Sequence, residues 1–183
     1  MRENMSLHEI VLPETKPETE WVRGRALRKM SPTRHHSRLQ GALYRALDDW
    51  GALTGEVGTE WRFRLAPPGM VRRPLVPDVS YTSNERLRPL SDDEIAAPPL
   101  APNVAVEILS PGDRRADVED KIAVYLVSGT ALVILIDPKV RSATLIDSVE
   151  RRTLSDGEVL RHPALPGFSL PLAKLFAVLE RPK

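Results

Sequence analysis

The chain has 183 residues, a formal net charge of +1 and 42% hydrophobic residues. That length suits one domain with a substantial core and is short for two. So small a net charge announces no general attraction to nucleic acid. The absence of cysteine excludes a disulfide framework, a thiolate zinc site and a cysteine nucleophile. His8, His35, His36 and His162 are too scattered in sequence to suggest a metal triad. The longest strongly apolar run, Ala131 to Ile136, is far too short to span a bilayer. The polar amino terminus lacks the apolar core of a signal peptide, so the expected setting is cytoplasmic, away from membranes.

Met1 to Glu20 is polar, carries Pro13 and Pro17, and has no periodicity. It reads as a flexible N-terminal arm, leaving residues 21–183 as one domain. Trp21-Val22-Arg23 is expected to turn at Gly24-Arg25 into Ala26 to Met30, forming a hairpin. No acidic residue stands between Trp21 and Leu47, a window that holds Arg23, Arg25, Arg28, Lys29, Arg34, Arg38 and Arg45. Two readings of this basic window stay open. It lies along a phosphate backbone through residues such as Arg23, Arg25 and Arg34, or it pairs with the acids between Asp92 and Asp120.

Ser31-Pro32-Thr33 opens a helix running to about Trp50, whose buried stripe is Leu39, Ala42, Leu43, Ala46, Leu47 and Trp50. His35 and His36 stand in its first turn, at the edges of the stripe. Either would be a partly buried histidine with a backbone partner, or a residue that positions water or phosphate. Gly51 to Gly58 is a connection, and Val57 to Leu65 is expected as one strand. Ala66 to Pro74 is expected as a loop carrying Arg72 and Arg73, which with Arg62 would line the mouth of a site around Asp78. Asp78 follows Pro77, which cannot donate to a ladder and marks the start of a strand, Val79 to Thr82. Asn84 to Pro102 is a long connection with a helix start at Ser91-Asp92-Asp93-Glu94, whose acids are expected to face away from any nucleic acid.

Asn103 to Leu109 is apolar on both alternating faces, the pattern of a buried strand, yet it contains Glu107. Ser110 is expected to cap the next helix, with Pro111 at its first position. Val118, Ile122, Tyr125 and Leu126 form the apolar stripe of that helix, Lys121 lies on the stripe's border, and Gly129 stops it. Ala131 to Ile136 is an apolar strand that completes a βαβ crossover. Ser142 to Asp147 and Arg151 to Leu154 follow as antiparallel strands, then a turn at Ser155 to Glu158. Pro163 to Pro171 is an irregular segment, and Leu172 to Leu179 a last helix.

Asp78 and Glu107 sit where carboxylates are costly unless paired or bound to a cation. With Lys121 they form a minimal kit for metal-assisted hydrolysis of a phosphodiester. The carboxylates would hold a hard cation, and the lysine would stabilise or help deprotonate the attacking water. The competing reading, with equal weight, makes Glu107 a strand-end residue paired with Arg114 or Lys121.

Pro77-Asp78, Glu107-Ile108-Leu109-Ser110, and Lys121 with Tyr125 and Gly129 resemble the restriction-endonuclease-like PD-(D/E)XK superfamily. More narrowly they resemble its Uma-two family of endonucleases. The likeness runs from about Trp21 to Phe176 and includes Met30-Ser31-Pro32 and Leu165-Pro166-Gly167-Phe168. It implies an α/β fold, a restriction-endonuclease-like mixed β-sheet core flanked by helices, with an N-terminal β-hairpin. It implies a metal-dependent endonuclease acting on DNA, with Asp78 and Glu107 as ligands of Mg2+ (Mn2+ as a substitute). Lys121 and His36 would complete the catalytic set. The alternative is a non-catalytic DNA- or protein-binding module of the same fold.

Two departures stand out. Leu109 holds the usual lysine position, and Lys121 on the helix is the implied replacement. Arg25 stands where many relatives have Glu after the glycine. Replacing Lys121 by Ala is expected to abolish cleavage and leave folding and metal affinity largely intact. A homodimer is also expected, because relatives suggest it. A further reason is that Val133-Ile134-Leu135 and Thr144-Leu145-Ile146 carry more apolar surface than one helix layer covers.

Overall fold

The computed structural model describes residues 19–28, 32–71 and 73–180. The expected arm up to residue 18 and the positions of Lys29, Met30, Ser31 and Arg72 lie outside the described residues. The centre is a six-stranded mixed sheet. Its strands are β3 (Gly55–Thr59), β6 (Val79–Ser83), β7 (Val104–Ile108), β8 (Leu132–Asp137), β9 (Ser142–Ile146) and β10 (Arg151–Ser155). Their spatial order is β10-β9-β8-β7-β6-β3. β7 and β8 run parallel, joined by helix α4 (Arg115–Val127), and the remaining neighbours are antiparallel. This is the crossover expected from the apolar runs on either side of the helix.

Both faces of the sheet are covered, and strand alternation divides the core in two. Val104, Val106 and Ile108 of β7 point to one side, with Leu132, Ile134 and Ile136 of β8. There they meet Leu39, Leu43 and Leu47 of helix α1 (Arg34–Gly51) and Leu172, Leu175 and Phe176 of helix α5 (Leu172–Phe176). Ala105 and Val133 point to the other side. There they meet Ile122 and Tyr125 of α4 and Val22, Phe63, Leu65 and Leu75. Val22 belongs to a hairpin of β1 (Thr19–Val22) and β2 (Arg25–Arg28), and the other three to β4 (Phe63–Leu65) and β5 (Arg73–Leu75). Helix α1 starts at an N-cap, Thr33, whose hydroxyl accepts the His36 N–H, satisfying one of the orphan donors of the first turn.

Several expected boundaries move for local reasons. The hairpin turns at Arg23-Gly24, where both residues have positive φ, and Val22 pairs with Arg25; Arg25 is therefore the first residue of β2. Val57 to Leu65 is two strands, β3 and β4, because Glu60 adopts a left-handed φ of 54° and breaks the ladder. β3 begins inside the expected connection, at Gly55, where a Cβ would lie 2.3 Å from the Thr82 carbonyl oxygen. The expected loop at Ala66 to Pro74 ends in strand β5, paired with β4.

Helix α4 begins at Arg115. Ser110 does not cap it: Ser110 and Asp113 close a separate turn, the Asp113 side chain accepting the Ser110 N–H at 2.7 Å, and Arg114 stands at the N-cap without a side-chain bond. The long connection holds two short helices, α2 (Asn84–Leu87) and α3 (Asp92–Ala96), the second with a Ser91/Glu94 capping box. The irregular segment is bracketed by a small ladder of β11 (Val159–Leu160) and β12 (Leu170–Pro171). The last helix is α5 followed by a 3-10 turn, Ala177–Leu179.

The apolar surplus that argued for a dimer is absorbed within the chain. Val133, Ile134, Leu145 and Ile146 are all buried, Ile134 and Leu145 beneath the α1 and α5 side and Val133 and Ile146 beneath the α4 side. No helix among the described residues is long and apolar enough to cross a membrane.

Candidate active site

The two costly carboxylates are brought together by strand register. Val79 of β6 stands opposite Val106 of β7. One step further along the antiparallel pair sets Asp78 opposite Glu107. Asp78 is anchored at this point through its backbone, its N–H bonding the Val106 carbonyl at 3.0 Å. Its side chain turns back across the strand end, where Oδ2 accepts the Ile108 N–H at 2.6 Å. Helix α1 holds the same residue from the other side. His36 Nε2 lies 3.2 Å from Asp78 Oδ2, and Gln40, one turn later, donates to the Asp78 carbonyl at 3.0 Å. His36 is itself buried.

Glu107 shares its face of β7 with Ala105 and so points toward α4. Asp117, Lys121 and Tyr125 recur there at four-residue spacing, which aligns them along one face of the helix. The Lys121 ammonium lies 2.5 Å from Glu107 Oε2, and the Tyr125 hydroxyl donates to Glu107 Oε1 at 2.9 Å. A third carboxylate joins them. Glu20, from β1, accepts the Lys121 ammonium on Oε2 at 2.9 Å and the Val76 N–H on Oε1 at 2.8 Å.

Burial sets the electrostatics of this cluster. It works to lower the Lys121 pKa, but the charges of Glu107, Glu20 and Asp78 outweigh it, and the pKa ends above the ordinary lysine value. Lys121 is therefore an ammonium at neutral pH. Burial, reinforced by the charges of Glu107 and Glu20, pushes the Tyr125 hydroxyl well above its usual range. It remains a protonated donor to Glu107.

Asp78, Glu107, Lys121, His36 and Glu20 all line one cleft of about 350 Å3, together with Arg25, Asp117 and the Leu109–Ser110 turn. The predicted arginines are distributed differently. Arg25 reaches the cleft wall, where its Nη2 lies 3.0 Å from both carboxylate oxygens of Asp117. Arg23 lies 3.9 Å from Asp117, and buried Arg73 lies 3.0 Å from Asp120. Arg34 donates to the carbonyls of Leu179 and Glu180. Arg62 lines another groove, beside Glu60 and Ile95. Of the two readings of the basic window, pairing with acids on α4 describes Arg23 and Arg25.

Sequence reasoning missed Glu20, assigned to the arm, and Gln40. A signal for Glu20 was present: it stands two residues before Val22, the inward alternation of a strand. Gln40 stands one helical turn after His36, on the same face.

Lys121 sits between two buried carboxylates, with a side chain 12% exposed. Removing it strands two buried charges, so the expectation that Lys121→Ala leaves folding intact is revised. Lys121→Met is predicted to lower stability by about 3–5 kcal/mol, measured by urea unfolding at neutral pH. Because the folded pKa is raised, the contribution is fully present below the unfolded value of about 10.4 and is lost as pH rises through the folded value. The gap between wild type and variant should hold at neutral pH and narrow in strong alkali. An unchanged urea midpoint at neutral pH would show that the ammonium carries no such role.

Among solved structures, a putative nuclease from Anabaena variabilis ATCC 29413 superposes with a TM-score of 0.79 at 24% identity. The match covers 92% of this chain and 95% of that one, and it establishes a shared fold. No curated protein matches the chain. The family model Uma2 (Uma-two), described as "Putative restriction endonuclease", matches residues 7–173. With the match spanning nearly the whole chain and the fold shared, the chain belongs to the Uma-two family of restriction-endonuclease-like proteins.

Proposed function

We propose that the chain is a cytoplasmic, magnesium-dependent endonuclease that hydrolyses DNA phosphodiester bonds. The observation that carries this reading is the meeting of Asp78, Glu107 and Lys121 on one cleft. The family description supports a nucleic-acid substrate. The donor chemistry fits a hard cation: two carboxylates lie opposite each other at strand ends and open to a polar cleft. Among the described residues no three His, Asp or Glu side chains meet as a closed ligand shell. Water would complete the coordination, as is common for Mg2+, with Mn2+ as a substitute.

A cation bound by Asp78 and Glu107 would polarise the phosphate and lower the pKa of bound water. The chain's own residues supply the rest. Lys121, held as an ammonium, stabilises charge developing on the phosphate oxygens and orients the attacking water. His36 and Gln40 fix Asp78 from α1. Tyr125 fixes the Glu107 carboxylate in rotation. Arg25, on the cleft wall, can exchange Asp117 for a backbone phosphate. Arg115, Lys139 and His35 line an adjoining cavity of about 970 Å3 that shares Leu109 and Ser110 with the cleft. They offer further phosphate contacts along the same path.

One observation favours a second reading. Lys121 already neutralises Glu107 and Glu20, and a closed ion-pair cluster suits a non-catalytic binding module of the same fold. The two readings part on metal and cleavage. With Mg2+, wild type should nick or linearise supercoiled plasmid, EDTA should stop it, and Asp78→Asn and Glu107→Gln should abolish it. Folded wild type that cuts neither duplex nor single-stranded DNA contradicts the endonuclease. So do variants that cut as well as wild type.

Cutting both strands requires two copies of a site that each chain carries once. We therefore include a homodimer in this proposal. Light scattering at micromolar protein should give about twice the 20.4 kDa chain mass. A mass near the single-chain value removes the dimer and leaves strand nicking.

A further inference from the structure

We infer that Glu20 is a positioning residue that holds the Lys121 ammonium in the cleft independently of Glu107 and ties it to the strand end bearing Asp78. The catalytic arm of this inference rests on the endonuclease reading; the geometry does not. Glu20 is 8% exposed. Its two oxygens have different partners far apart in sequence, the Val76 N–H on Oε1 and Lys121 Nζ on Oε2. Val76 is joined to Asp78 through Pro77, whose ring fixes φ, so the Val76 anchor is passed stiffly to the Asp78 strand end. One carboxylate thus references both the strand and the helix to the hairpin.

The arrangement answers a conflict within the site. Both Glu107 oxygens are engaged, one by Tyr125 and one by Lys121. A cation held by Glu107 would share a carboxylate whose oxygens already accept from Lys121 and Tyr125, so it would compete with the ammonium for that charge. Without Glu20 the lysine would have no second buried carboxylate bonded to it and would swing out along its flexible stem. With Glu20 it would stay in the cleft while Glu107 held a cation.

The task needs a carboxylate of this length. Glutamine keeps one acceptor oxygen and puts an NH2 donor in place of the other, so either the Val76 N–H or the Lys121 ammonium faces a donor. Aspartate keeps the charge but is one methylene short. The hairpin has other fastenings, since Arg25 pairs with Asp117 and Val22 is buried in the core. Glu20 is therefore not what keeps β1 in place.

The test uses full-length wild type, Glu20→Gln and Glu20→Asp, with two readouts. The first is the rate at which N-hydroxysuccinimide acetate labels Lys121 relative to exposed Lys174 in each protein, read by peptide mass spectrometry. Lys121 should be strongly protected in wild type, several-fold more reactive in Glu20→Gln and intermediate in Glu20→Asp. The second is plasmid cleavage, where Glu20→Gln should lower kcat about 10- to 100-fold at unchanged KM for DNA, with partial recovery in Glu20→Asp.

Labelling of Lys121 that does not change in Glu20→Gln overturns the inference, as does a change in KM with kcat preserved. Failure of both variants to unfold cooperatively would also overturn it, making Glu20 a folding residue. If wild type cleaves no DNA, the endonuclease reading fails, and the labelling comparison decides the positioning of Lys121 on its own.

Discussion

Glu107 is the constraint from which the site follows. It lies within a strand every residue of which is buried, a place where an unpaired carboxylate is prohibitively expensive. The structure compensates it from α4. The Lys121 ammonium and the Tyr125 hydroxyl each take one of its oxygens. This requires α4 to present positions 121 and 125 to the sheet, which in turn sets how the crossover helix rotates about its axis. Asp117, one turn earlier on that face, is then directed to the hairpin and meets Arg25. The polar seam beneath α4 and the placement of β1 and β2 thus share a single origin.

The same constraint engages part of the local basic charge. Asp117 and Asp120 on α4 engage Arg25 and Arg73. These pairs fasten the hairpin and β5 over the polar seam. A phosphate entering the cleft would have to compete with Asp117 for Arg25. Competition of this kind favours binding at low ionic strength, because exchange of one anion for another at a partly exposed guanidinium is sensitive to salt.

Much of this was legible in the sequence because burial patterns repeat at known periods. The apolar runs around Glu107 and at Ala131 to Ile136 identified the paired central strands, and the helical stripe between them identified the crossover. Asp78, Glu107 and Lys121 could be named because a charge inside such patterns is conspicuous. Glu20 was not, because its strand is short and follows a polar segment that resembles a linker. The pairing of the arginines was illegible for a different reason. Whether Arg25 faces solvent or Asp117 depends on a one-residue shift of the hairpin turn, and Arg23 takes a left-handed conformation there that its side chain does not advertise. The start of α4 was misplaced because Ser110 and Asp113 form a self-contained turn with the chemistry of a cap.

A cation site shared by Asp78 and Glu107, with Lys121 beside it, is open to a direct crystallographic test. Anomalous diffraction from crystals equilibrated with MnCl2 tests it without reference to any substrate. The expected result is an anomalous peak between the Asp78 and Glu107 carboxylates, with the Lys121 ammonium still bonded to Glu20. A cleft that shows no peak at saturating Mn2+, with Lys121 unmoved on Glu107, would contradict it.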